Sequence, residues 1–337
     1  MIELQVTAVE LPLREPFRVA GFTLTAAQTV VVELRSDEHV GYGESAPLAR
    51  YGDSVAAILD TFALYRLPAG VGPFSGERIT AGLPRAARCA LDIAVYDLQA
   101  KTLGVSVTEL LGLEGLARPR TSLTIPIAGL EKMLADVRAV RDTPIIKVKV
   151  GAPGGDDLAL IEAIRSVYTG TIRLDANEGW TPEQTVALLR EMDRFEIELC
   201  EQPIPAGTPE RLRWIAERSP IPIMADEDAV VASDLGPLRG CVASVNVKLA
   251  KCGGIGPAYR MIATARALGF GVMIGCMAES SILTTAAAHL GPLVDQLDID
   301  APLFLAHDPF SGVRYDNAAL IMPAGPGLGV QANVSSH

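Results

Sequence analysis

Residues 144–151 read PIIKVKVG: an extended, β-branched run with Lys147 and Lys149 set into it two positions apart. Lysine is among the side chains least often placed in an apolar interior. Residues i and i+2 of a strand face the same side, so both lysines project together. The apolar neighbours Ile145, Ile146, Val148 and Val150 argue against a solvated edge strand. One reading reconciles the two facts. The strand is buried on its outer face by helices, and its inner face opens near its C-terminal end onto a polar interior.

Similar strand-like segments recur along the chain: TSLTIPI, TIRLDAN, IELCEQP, IPIMADE, SVNVKLAK, GVMIGCM and DQLDIDA, separated by helical stretches such as PEQTVALLREMDRF and PAYRMIATARALGF. Taking Lys149, Asp175, Glu201, Asp226, Lys251, Cys276 and Asp298 as the polar strand ends gives spacings of 22 to 26 residues. Such a period with strand–helix alternation predicts right-handed βα units. Eight strands of this kind close a barrel whose active-site groups sit at the C-terminal strand ends.

The N-terminal section reads differently. MIELQVTAVEL and AQTVVVELRS alternate with period two, GYGESAP breaks the pattern, and residues 84–107 are helical with Gly104 as the stop. These elements predict an α+β capping domain over residues 1–118 and a barrel over 119–309, with a loop-rich tail, 310–337, returning to the cap.

Bulk properties narrow the function. A formal net charge of −11 argues against a nucleic-acid partner. The five cysteines lack CxxC spacing and suit a reducing cytosol. No signal-peptide core or uncharged apolar run of about 18 residues is present, so a soluble, cytoplasmic protein without a membrane partner is expected. With 49% apolar residues and a mean hydropathy of +0.28 the chain can bury a large core.

Asp175, Glu201 and Asp226 end three consecutive strands. Two carboxylates at ~4 Å repel by roughly 4 kcal/mol at an effective dielectric near 20. A cation must therefore hold the three together, and an oxygen-only donor set suits Mg²⁺ with positions left for substrate. Lys149 and Lys251 flank the acids in chain order. Two bases on opposite sides of a metal-bound substrate suit removal of a proton from one face of a carbon and its return to the other. Lys147 is read as the cation that lowers the pKa of Lys149 and as a carboxylate ligand.

IKVKVG, LDANEGW, CEQPIP, ADED and NVKLAKCGGI, in this order, resemble the enolase superfamily and its muconate-lactonising-enzyme subgroup. The helix ALDIAVYDLQAKTLGV and the GYGE motif resemble it too, so the resemblance spans nearly the whole chain. It implies a modified TIM barrel, (β/α)7β, under an α+β cap. It also implies Mg²⁺ on Asp175, Glu201 and Asp226, acid/base lysines Lys149 and Lys251, and Asn177 and Glu227 as residues that orient the ligands. Glu178 stands where relatives often carry Gln. Relatives of this kind often form symmetric homo-oligomers.

The subgroup contains cycloisomerases, o-succinylbenzoate synthases, N-acylamino-acid racemases and dipeptide epimerases. The pair Asp298 and Asp300 in LDIDAPLFL resembles the dipeptide epimerases, where such a pair binds the free α-ammonium of the substrate. Paired carboxylates suit an ammonium and not a succinyl or muconate anion. Epimerisation at the Cα of the C-terminal residue of a dipeptide is the expected reaction. The N-acylamino-acid racemase, o-succinylbenzoate synthase or muconate cycloisomerase reactions are the alternative. Thr124, Cys276 and Met277 join the expected substrate contacts. Epimerases acting on L-Ala-D/L-Glu carry an arginine in the first cap loop. The matching position here is Phe22, which suggests an apolar substrate side chain, with Arg18 and Arg50 as the nearby cations. Tyr51 is expected to line the pocket or pack in the cap, and His39, His289 and His307 to serve surface or packing roles.

Overall fold

The computed structural model describes residues 2–333. Three antiparallel strands open the chain: β1 (Glu3–Arg18), β2 (Thr23–Arg35) and β3 (Val40–Ser45), in that order across the sheet. Val30, Val32 and Leu34 alternate onto one face and are fully buried against Ala87, Ala90, Leu91 and Leu98 of the helix Arg85–Leu103. The glycines of GYGE make this packing close. A Cβ at Gly43 would stand 1.9 Å from the carbonyl oxygen of Ala90, and one at Gly41 2.2 Å from that of Ala94. The helix stops where expected, at Gly104, whose φ of 70° lies in the left-handed region.

All eight expected barrel strands are present: β4 (Leu123–Ile125), β5 (Ile145–Lys149), β6 (Thr171–Asp175), β7 (Ile197–Glu201), β8 (Ile223–Ala225), β9 (Ser244–Val247), β10 (Gly271–Gly275) and β11 (Gln296–Asp298). They pair in parallel in sequence order. A parallel bridge from Thr121 to Leu297 brings the first strand against the last. Helices follow each strand up to Ser281–His289, after β10. After β11 no α-helix follows among the described residues; a 3₁₀ turn, Ala301–Phe304, stands in its place, and the cap fills the gap: Leu13 bridges Leu305 and the Ala306 N–H donates to Pro12 O. The architecture is a modified TIM barrel, (β/α)7β, with a capping domain.

One expected strand end moves. β9 stops at Val247, and Lys251 lies in a one-turn helix, Leu249–Cys252, beyond it. The first residue past the strand is Lys248.

Two cap carboxylates dock the cap on the barrel. Glu44, fully buried, accepts from the Ser280 N–H and hydroxyl and from the Leu283 N–H, at the start of the helix after β10. Asp92 accepts from the Gly256 N–H at the start of the helix after β9. Helix N-termini carry unsatisfied N–H groups and a positive dipole end, so each acid meets its complement. His289 ties barrel, cap and tail together. Its Nδ1 accepts from the Thr108 N–H, which leaves Nε2–H to donate to Leu328 O. The tail meets the cap again where the Val107 N–H donates to Gly327 O. No helix among the described residues is long and apolar enough to cross a membrane.

Candidate active site

Inside the barrel, alternation sets the depth of each side chain. Leu199, Met224 and Met273 fill the interior, and two residues further along their strands come Glu201, Asp226 and Gly275. The same step takes Lys147 to Lys149, Arg173 to Asp175 and Asn246 to Lys248. The site is therefore the layer at the C-terminal strand ends, above a rung in which Lys147, Arg173 and Asn246 alternate with apolar side chains. Asp175, Glu201 and Asp226 are 0%, 0% and 2% exposed, so their charges must be met from within the protein.

Lysines meet them. Lys147 Nζ lies 3.0 Å from Asp175, 2.7 Å from Glu201 and 2.7 Å from Asp298. Burial alone would lower its pKa, but the three carboxylates outweigh burial and hold it well above the ordinary lysine range. Lys147 is thus a fixed countercharge deep in the site. Lys149 Nζ is 2.5 Å from Asp175 Oδ2 and donates to Asn177 Oδ1 at 3.1 Å. Against the burial that would raise it, Lys147 and Lys149 bring the Asp175 pKa down to about 2.

On the far side of the acids stands Lys248, which donates to Asp226 Oδ2 at 2.9 Å and keeps 10% of its side chain exposed. Burial opposes its charge, but Asp226 and Glu201 outweigh burial and raise its pKa well above the usual value. Lys251 is enclosed. Its ammonium donates to Asp226 Oδ1 (2.5 Å) and to the carbonyls of Asp226 (2.5 Å), Ala229 (2.9 Å) and Asn246 (3.0 Å). An ammonium has three protons to give, and all are taken. Lys251 braces Asp226 from behind, and Lys248 faces the mouth. Sequence reasoning missed Lys248, although strict alternation through SVNVK pointed to it.

The acids are not all satisfied. Glu201 Oε2 and Glu227 Oε2 are buried without a hydrogen bond, the former despite its ion-pair distance to Lys147. Burial, then the charge of Asp175, pushes Glu201 up to about 7. Burial, then the charges of Asp226 and Asp175, pushes Glu227 up to about 8. Among the described residues no three acidic, histidine or cysteine side chains already form a cation cage, because the carboxylates lean on the lysines. The donor set nonetheless fits a hard divalent ion. It is oxygen-only, buried, and has carboxylate oxygens without donors.

The D-x-D pair divides. Asp298 is engaged: Lys147 and the Ser122 hydroxyl (2.5 Å) hold it, and against burial Lys147 keeps its pKa low. Asp300, 3% exposed, accepts from the Thr124 N–H (2.6 Å) and hydroxyl (3.2 Å), both neutral donors. Burial and then the charge of Asp298 push it up to about 7. It is a buried acid in want of a cation. Cys276 and Met277 are half-buried just past β10, where the Cys276 N–H donates to Asp298 O. Phe22 is 56% exposed at the tip of the first cap loop, and Arg18 beside it is exposed as well. Arg50 is committed to Glu178. A further buried acid that the sequence did not single out, Glu279, accepts from the Met277 N–H and is raised to about 8, chiefly by burial.

The comparisons with known proteins agree with this geometry. Residues 1–112 match the mandelate racemase / muconate lactonizing enzyme N-terminal domain, and residues 129–336 match the enolase C-terminal domain-like family. The L-Ala-D/L-Glu epimerase of Bacteroides thetaiotaomicron is 34% identical, over 95% of this chain and 85% of that protein. The hydrophobic dipeptide epimerase of Roseobacter litoralis is 32% identical over 100% of both. Among solved structures, the dipeptide epimerase of Enterococcus faecalis V583 complexed with Mg and the dipeptide L-Leu-L-Tyr superposes with a TM-score of 0.89 at 32% identity, covering 97% of this chain and 98% of that one. The N-succinyl Arg/Lys racemase of Bacillus cereus ATCC 14579 has a TM-score of 0.89 at 28% identity, covering 98% and 95%. Two domain matches and near full-length relatives place the chain in the mandelate racemase / muconate lactonizing enzyme family of the enolase superfamily.

Proposed function

We propose that this protein is an isomerase, a Mg²⁺-dependent dipeptide epimerase that inverts the Cα of the C-terminal residue by 1,1-proton transfer. The observation that carries the reading is the order around the barrel. Lys149 on β5 and Lys248 after β9 stand on either side of the acids borne by β6, β7 and β8. A substrate carbon between them presents opposite faces to two ammonium groups. One lysine, deprotonated, takes the α-proton, and the other gives a proton back on the far face. We assign the second role to Lys248 in place of Lys251, whose protons are all engaged.

Asp175, Glu201 and Asp226 would hold the Mg²⁺, with Asn177 and Glu227 orienting that set: Asn177 Nδ2 donates to Glu227 at 3.3 Å. The bound ion supplies positive charge where negative charge builds on the substrate carboxylate. Asp300, aided by Asp298, takes the free α-ammonium, which is the cation its surroundings lack. That feature favours a dipeptide over an N-succinyl or muconate substrate. Phe22, exposed on the first cap loop, supports an apolar side chain on the residue that is inverted.

The test is incubation of the purified protein with Mg²⁺ and pooled L-Ala-L-Xaa and L-Xaa-L-Xaa dipeptides in D₂O, read by mass spectrometry. A one-dalton gain abolished by EDTA is expected, strongest in members with apolar second residues. No gain in any dipeptide, with gain in N-succinylamino acids, would establish the racemase reading instead.

A further inference from the structure

The second cap loop is held by arginines on two sides. Arg85, from the cap helix, donates to Tyr51 O at 3.2 Å and to Asp53 at 2.7 Å, and its guanidinium carbon lies 5.5 Å from the Tyr51 ring centroid. Arg50 reaches the other way, out of the cap. It engages both carboxylate oxygens of Glu178 in the turn after β6, with Nη2 to Oε1 at 2.6 Å. Glu178 Oε1 also accepts from the Ala206 N–H at 2.6 Å, in the turn after β7. One carboxylate thus joins the cap loop to two barrel loops.

The turn that carries Glu178 is itself strained. Asn177 (φ 39°) and Glu178 (φ 67°) are successive non-glycine residues in the left-handed region. Such a conformation persists only where the surroundings over-determine it. Here the Asn177 N–H donates to Asp175 Oδ1 and the Glu178 N–H to Gln202 O. Strain at this place aims the Glu178 side chain at the cap. Asn177, the neighbour of Glu178, accepts from Lys149 at 3.1 Å and donates to Glu227 at 3.3 Å, so the joint between Arg50 and Glu178, with Tyr51 next along the cap loop, stands beside the lysine–carboxylate row.

We propose that Arg50 and Glu178 form a latch that holds the second cap loop shut, so that Tyr51 roofs the substrate site; both are positioning residues for the reaction. The inference rests on the dipeptide reading for what lies beneath Tyr51, but the latch itself does not. The bidentate fork gives the closed state a defined geometry. Arg50 keeps 44% of its side chain exposed, and a pair that open favours closure by only about fivefold. A contact of that strength can release for substrate to enter and re-form over it, which a buried pair cannot.

The test is a double-mutant cycle of Arg50→Ala, Glu178→Gln and the combined variant, with Arg50→Lys as the conservative change. Two readouts are used: steady-state kinetics on whichever dipeptide the wild type labels best, and hydrogen–deuterium exchange of the peptide spanning residues 48–53. Each single change is expected to raise KM about three- to fivefold with kcat little altered, and the combined variant to be no worse than either. Arg50→Lys, which keeps the charge without the fork, falls between. Exchange at 48–53 rises equally in both single variants. Unchanged KM, effects that multiply in the combined variant, or wild-type exchange at 48–53 would each overturn the latch. If the wild type labels no dipeptide, the epimerase reading fails on that result, and the exchange comparison still decides the latch.

Discussion

Lys248→Met and Lys251→Met separate the two lysines that follow Asn246. Lys248 makes a single ion pair, with Asp226, and faces the mouth. Under the proposed mechanism its loss removes an acid/base group, an expected effect of about 10²–10⁴-fold on turnover, and leaves the fold in place because Asp226 keeps Lys251. Lys251→Met leaves Asp226 Oδ1 and three buried carbonyls without their shared donor. Removing one partner of a buried pair costs ~3–5 kcal/mol. For 337 residues the unfolding entropy near 60 °C is about 0.7 kcal/mol per degree, so a loss of about 4 kcal/mol lowers Tm by about 6 °C. The assay follows solvent deuterium into each epimer separately. With Lys248 gone, Lys149 still exchanges the α-proton on its own face, so one epimer gains deuterium while no inversion occurs. The reasoning fails if Lys251→Met loses inversion with an unchanged Tm while Lys248→Met still inverts.

Asp300→Asn removes the charge that would meet the substrate ammonium. A cost of at least ~2 kcal/mol, about 30-fold in kcat/KM, is expected, with no change in Mg²⁺ affinity by calorimetry. Glu201 is raised to about 7, so below that pH a proton on it competes with a divalent cation. Mg²⁺ affinity therefore falls as pH drops below about 7, and titrations in buffers of different ionisation enthalpy should show proton release. Glu44→Gln presents an amide donor to N–H groups at the barrel helix that Glu44 now caps, and should cost about 2–3 kcal/mol in a denaturant titration. His289, depressed to about 4 by burial, is neutral when folded, against an unfolded value near 6.5. Its contribution is complete above pH 6.5 and is lost as pH falls toward 4, up to roughly 3 kcal/mol. A His289→Gln variant should show a shallower loss of Tm across that window.

Much of this was legible because barrel strands write their geometry in two periods at once. The spacing of about 25 residues located the strands, and the alternation within IIKVK, TIRLD and IELCE placed Lys149, Asp175 and Glu201 on the inner face. The two rules conflict after β9. Spacing selects Lys251, alternation from Asn246 selects Lys248, and the short helix Leu249–Cys252 that breaks the spacing is too brief to announce itself in the sequence. Contacts distant in sequence were silent for a different reason. Nothing local in GYGE reveals that Glu44 caps a helix 236 positions away, or that Arg50 finds Glu178 across 128 residues. Such pairs are fixed by how the cap sits on the barrel, which is a property of the assembled fold.

The two lysines of PIIKVKVG share a face yet cannot share a role, because depth separates them. Lys147 points into the layer where Asp175, Glu201 and Asp298 all come within 3.0 Å, and it is 1% exposed. An ammonium so enclosed cannot give up its proton without leaving three carboxylates to face one another, so it stays charged. Lys149, one strand step higher, has one carboxylate and one amide as partners. It can exchange those contacts for a substrate without stranding the acids below, since Lys147 continues to neutralise them. The inner lysine thus relieves the outer one of charge balance, the condition the proposed proton transfer by Lys149 requires.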